Sequence, residues 1–158
     1  MSLNDWILAL HLLSAFALIG ALVIFWIMIV ALWNTDSTTR VASLMTVSRV
    51  GTVMIAAGSI GTIVFGIWLA ISLDAFQVWD GWVIAAIVLW AIAAEVGRRA
   101  GEGYGEAGLE AGKLAEAGTP TSPLVAETFG ASRAFWFHAA SSVLFVLVLI
   151  DMIWKPGA

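Results

Sequence analysis

Long apolar runs separated by short polar stretches dominate this chain. The first runs from about Trp6 to Trp33 and the second from about Val50 to Leu73, neither containing a charged residue. The third, from about Trp82 to Val96, has Glu95 near its end, and the fourth, from about Ala134 to Trp154, has Asp151 near its end. About 20 apolar residues cross the hydrocarbon core of a bilayer. A segment isolated in lipid can satisfy its backbone hydrogen bonds only as a helix. The pattern therefore predicts an all-α protein, an integral membrane four-helix transmembrane bundle of up-down topology. It forms a single membrane domain over residues 1–158, with spans at about 6–33, 50–73, 82–96 and 134–154.

The connections differ in character. Residues 34–49 are polar, and their latter half is expected to extend the second helix. Residues 74–81 are short and acidic, which suits a hairpin between the second and third spans. Residues 97–133 interleave Glu102, Glu106, Glu110 and Glu116 with Gly101, Gly103, Gly105, Gly108 and Gly112. Each glycine weakens a helix by about 1 kcal/mol relative to alanine. This stretch is therefore expected to be a partly helical, mobile loop at the membrane surface, broken at Thr119-Pro120-Thr121-Ser122-Pro123.

Composition reinforces the membrane reading. Of 158 residues, 61% are hydrophobic and 11% charged, and mean hydropathy is +0.99; a soluble domain carries about 25% charged residues. The absence of Cys excludes disulfides and thiolate chemistry. A net charge of −4 with scattered basic residues argues against nucleic-acid binding. Nothing basic precedes the first apolar run, which is longer than a signal peptide's, so it reads as a retained span. Arg40, Arg49, Arg98, Arg99, Lys113 and Arg133 fall in or beside the first and third connections, against Lys155 on the other side. The positive-inside rule then places those connections in the cytoplasm and both termini outside. Trp6, Trp79, Trp82 and Trp154 are expected at the outer boundary, and Trp33 and Trp136 at the inner one.

Within the spans, Gly58, Thr62 and Gly66 form a stripe of small residues, with Gly51 two turns back. Such stripes let helix backbones approach closely, either inside the bundle or at a homodimer seam. His11 and His138 are the intramembrane imidazoles, and ionisable groups in spans are functional candidates. Each could also simply hydrogen-bond a neighbouring helix. His11 lies about 7 Å below Trp6, and His138 enters from the opposite side. The two should therefore be about 15 Å or more apart in depth, too far for one haem iron, although separate sites remain open. Asp5, Asp74, Asp80 and Asp151 all fall on the outer side near His11, with Met152 adjacent. Carboxylates with an imidazole can hold a divalent metal, and a thioether adds copper affinity; the alternative is ion pairing of Asp151 with Lys155 and solvated turns. Glu95, with Arg98 and Arg99 at i+3 and i+4, reads as a local ion-pair anchor. No catalytic motif is present, which points away from an enzyme, and no discontinuous helix or paired buried charge suggests a transporter.

Leu10-His11-Leu12-Leu13-Ser14-Ala15 followed by Gly20 resembles the first helix of small bacterial membrane proteins grouped with the copper-resistance protein D superfamily. Arg49-Val50-Gly51, Gly58, Gly61 and Phe65-Gly66-Ile67-Trp68-Leu69-Ala70 are similar to their second helix, and Trp79 and Trp82 to the opening of the third. The resemblance covers about the first 100 residues. It is nearest to a family described only as predicted integral membrane proteins of unknown function. Related four-helix proteins include a haem-pathway protoporphyrinogen oxidase with a haem-binding His on its first helix. The resemblance therefore implies a role for His11 and makes haem b the candidate cofactor. The intramembrane Lys expected of that enzyme is missing here. The expectation is a bacterial inner-membrane protein binding haem or a metal ion through His11. The alternative is an accessory subunit of a membrane complex or homo-oligomer, with no chemistry of its own.

Overall fold

The computed structural model describes residues 2–72 and 77–156. It is all-helical: α1 Leu3–Ala31, α2 Thr38–Ser72, α3 Gly81–Glu116, α4 Pro123–Thr128 and α5 Arg133–Trp154. Four segments are long and apolar enough to cross a membrane: Leu3–Ala31, Thr38–Ser72, Gly81–Glu116 and Pro123–Trp154. Large apolar side chains such as Phe16, Val53, Val143 and Ile153 point outward and are 60–70% exposed. Such a surface suits lipid rather than water.

Local chemistry sets the helix ends. Ser2 and Asp5 form a reciprocal capping box at the start of α1, with Ser2 N–H donating to Asp5 Oδ2 at 2.6 Å. Ser132 caps α5 by accepting from the Phe135 N–H at 3.3 Å. Asn34 adopts a left-handed φ of 54° after α1, and its N–H donates to the Phe129 carbonyl at 3.0 Å.

Two helices run further than their apolar segments. α2 begins at Thr38 rather than near Val50, and α3 continues to Glu116 rather than ending near Val96. Residues 97–116, expected as part of a partly helical, mobile loop, are therefore continuous helix, and a second helix, α4, lies within the 97–133 connection. The reason is packing. Ala100, Ala107 and Ala111 are fully buried on one face of α3, and Leu32, Val41, Ala107, Ala111, Val125 and Phe129 form one core cluster. Tyr104 lies against Phe129, with ring centroids 5.3 Å apart. Glycine here admits close neighbours, since a Cβ on Gly103 would sit 3.1 Å from the Ala134 Cβ and one on Gly108 would collide with the Met45 side chain. Tertiary contact thus outweighs the low intrinsic helix propensity. The cap formed by these elements is tied to α2 by an isolated antiparallel bridge, Ser37 to Thr121, and by Thr38 Oγ1 donating to the Thr119 carbonyl at 2.6 Å.

α1 packs most extensively on α2, and α3 on α5, while the α2–α3 interface is smaller. The α1–α2 seam brings the early part of one helix to the late part of the other. A Cβ on Gly58 would lie 2.6 Å from the Leu18 backbone nitrogen and 2.8 Å from the Ser14 carbonyl oxygen. Across α3–α5, the buried Ser141 hydroxyl donates to the Ala93 carbonyl at 2.8 Å. Trp26 links α1 to α5 by donating its Nε1–H to Ser142 Oγ at 3.0 Å.

Candidate functional site

The small-residue stripe of α2 is filled from within the chain. Gly51 faces Phe25 and Ile24, Gly58 meets the α1 backbone, and Gly66 lies under the His11 ring. Gly61, outside the expected stripe, meets Ser14 and belongs to the same surface. Thr62 sits between them, and its carbonyl is 3.0 Å from His11 Nδ1. With Nδ1 carrying the proton, His11 donates across the seam and keeps a lone pair on Nε2. A backbone carbonyl fixing one ring nitrogen in this way is the arrangement that orients metal-ligating histidines.

His138 occupies a different environment. It is buried, with ring centroids 4.9 Å from Trp26 and 6.2 Å from Phe25. Trp26 lies fifteen residues beyond His11 on α1, about 22 Å along the helix axis. The two imidazoles therefore do not converge, as the depth argument from the sequence anticipated. His138 Nε2 is buried and has no hydrogen-bond partner among the described residues.

His138 also forms part of the wall of a cavity of about 420 Å³ between α1, α2, α3 and α5. Met28, Phe129 and Phe145 give it an apolar interior, and Ser48, Thr52 and Ser59 bring hydroxyls along α2. The Ser48 and Thr52 hydroxyls already donate within their own helix, to the Met45 and Ser48 carbonyls. Tyr104, whose buried hydroxyl also lacks a partner among the described residues, is another wall residue. Sequence reasoning weighed His138 as a separate cofactor-binding site and missed this space. The signal was the set of small residues on facing sides of α2 and α3, which reads equally well as tight packing. His11 is not among the lining residues.

Among the described residues the outer carboxylates form no metal-holding group. Asp5 is taken up by the α1 capping box, and Asp80 accepts from the Gln77 N–H at 2.9 Å ahead of α3. Asp151 is buried on α5, and Asp74 lies outside the described residues. Among the described residues no three His, Cys, Asp or Glu side chains form a group able to hold a metal. Lys155 rests over the Trp82 ring at 5.4 Å, and Trp82 is buried. Glu95 forms the expected local pairs, at 2.8 Å to both Arg98 and Arg99, and Arg98 reaches Glu102 as well.

Comparison of the chain with protein-family models, with curated proteins and with solved structures finds no match in any of the three.

Proposed function

We propose that this chain is a bacterial inner-membrane protein of up-down topology whose central cavity binds a small, mainly apolar ligand beside His138. The carrying observation is a cavity of about 420 Å³ walled by a buried imidazole whose Nε2 has no partner among the described residues. Ligand sites are typically concave, mostly apolar and supplied with a few polar groups, and buried polar atoms normally find a partner. Both termini lie outside the cytoplasm on this reading, because six of the seven cationic residues sit at the opposite end. A Cys placed at Glu106 should then be reached only by reagents that enter the cell; labelling from outside reverses the orientation.

The ligand-binding reading is tested on full-length protein purified in mild detergent. Native mass spectrometry should detect a small molecule released on denaturation, and His138→Phe should retain at least tenfold less. A ligand held equally by the variant removes His138 from the site. A wild-type protein that neither retains nor takes up any apolar molecule overturns the reading.

A second reading, favoured by the His11 Nδ1–Thr62 carbonyl contact, is a metal or haem b site at His11 Nε2, as the resemblance to the copper-resistance protein D superfamily suggests. A Soret band, or bound metal, that disappears in His11→Ala supports it; neither haem nor metal in the wild type rejects it.

A further inference from the structure

The cavity is open on one side. Thr52 and Ala56 of α2 and Arg98, Gly101 and Gly105 of α3 line it and are also exposed. They form a mouth along the α2–α3 seam, the smaller of the two interfaces that α3 makes with the long helices α2 and α5. The glycines at this mouth differ from those at the helix crossings. A Cβ on Gly101 or Gly105 would meet nothing within 4 Å, whereas on Gly58, Gly97 or Gly108 it would run into a neighbouring helix. Helix packing therefore does not require glycine at 101 or 105. What it provides there is open width.

The depth of the mouth follows from helix geometry. Gly101 is nineteen residues along α3 from Trp82, about 28 Å, close to the ~30 Å hydrocarbon thickness. Ala93, buried in the cavity wall, is about 16 Å from Trp82. On that scale the space runs from the inner headgroup boundary toward the middle of the membrane, and the exposed Thr52 and Ala56, in the apolar part of α2, form the side of the mouth nearest to lipid.

Charge at the mouth narrows the ligand. Both arginines there are already bonded to carboxylates of α3, Arg98 to Glu95 and Glu102 and Arg99 to Glu95. Glu106 follows one turn further on, so the α3 side of the mouth holds three carboxylates against two arginines and offers an anionic headgroup no uncommitted cation. Inside, His138 stands one turn from Ser141, which itself bonds Ala93. A neutral imidazole can donate or accept one hydrogen bond at each nitrogen, which matches a hydroxyl or carbonyl. A space of about 420 Å³ is at the small end for ligand sites and suits one chain or a small ring system rather than a two-chain lipid.

We infer that the cavity is loaded sideways from the bilayer through the α2–α3 mouth, and that its ligand is a neutral amphiphile with one apolar body and a hydroxyl or carbonyl facing His138. This rests on the ligand-binding reading above. The test places the full chain in phosphatidylcholine vesicles with a neutral long-chain alcohol carrying a mid-chain diazirine, irradiates, and maps adducts by mass spectrometry. Wild type should carry adducts on cavity residues such as Met45 and Phe145. Gly101→Phe, Gly105→Phe and Ala56→Phe, which narrow the mouth from both helices, should each lower them at least tenfold. Gly112→Phe, at another glycine facing open space but outside the lining, should not. Because the mouth is narrowed at three positions, one poorly folded variant leaves the other two to decide. Unchanged cavity adducts in the narrowed variants overturn the sideways route while leaving ligand binding standing. No cavity adducts in wild type overturn both. A fatty-acid carboxylate bearing the same diazirine should label the cavity at least tenfold less; equal labelling overturns the neutral headgroup.

Discussion

Replacing Gly58 with alanine adds a single methyl group where two helix backbones touch. Its Cβ would be 2.6 Å from Leu18 N, 2.8 Å from the Ser14 carbonyl oxygen and 3.1 Å from Leu18 Cα, the first about 0.8 Å short of ordinary contact. None of these atoms belongs to a side chain that can rotate away, so α1 and α2 must part locally by about that amount. A radial gap of 0.5–1 Å forfeits about a quarter to a half of each ~0.1–0.2 kcal/mol contact. Over some thirty atom pairs at the crossing, that is about 1–2 kcal/mol. Overpacking strain adds about 1–3 kcal/mol, and the better helix propensity of alanine returns up to about 1 kcal/mol. The expected net effect is a destabilisation of about 2 kcal/mol. Gly101→Ala is the internal control, since its methyl meets nothing and should stabilise by up to about 1 kcal/mol. Equilibrium unfolding in mixed micelles of increasing dodecyl sulfate content, followed by far-UV circular dichroism, measures both. Opposite signs are the expected outcome. A Gly58→Ala protein as stable as wild type would refute backbone contact at this crossing.

Ser141→Ala should destabilise by about 0.6 kcal/mol, and by no more than about 1.7 kcal/mol, the range for interhelical hydrogen bonds in membranes, because the lost hydroxyl bonds Ala93 across the α3–α5 seam; the same unfolding titration reads it. Phe129→Ala, in the cap, removes a side chain that is 2% exposed and packed on Tyr104. It should cost about 3–5 kcal/mol and expose residues 104–111 to faster amide hydrogen exchange; unchanged exchange would show that the cap does not depend on it. Glu95→Gln breaks exposed pairs with Arg98 and Arg99 and should leave the thermal midpoint within error at physiological salt, since such surface pairs are weak. A large drop would mean that the pairs anchor α3.

The four long helices were legible because long apolar runs admit little else in lipid. The extension of α3 was not. Weighed one residue at a time, Gly101 to Gly112 argue against helix, yet Ala100, Ala107 and Ala111 share a face, and that spacing was the signal. The stripe of Gly51, Gly58, Thr62 and Gly66 was legible as a packing surface, and its partner, α1, came from the structure. His11 was legible as a ligand candidate or as a hydrogen-bond partner of a neighbouring helix, and its contact with the Thr62 carbonyl came from the structure. The cavity was invisible in sequence. Small residues on α2 and α3 reveal that two helices can approach, not whether they do.

α3 is unbroken from Gly81 to Glu116, about 54 Å of continuous helix. Its first part is apolar enough to cross a membrane, its middle borders the mouth at Gly101 and Gly105, and its last turns carry Ala107 and Ala111 into the cap. A rod without a joint has few independent motions. Tilting the cap end tilts the stretch beside the opening through the same angle, so the width of the opening and the seating of the cap behave as one mechanical variable. A glycine-broken loop at 97–116 would have uncoupled them.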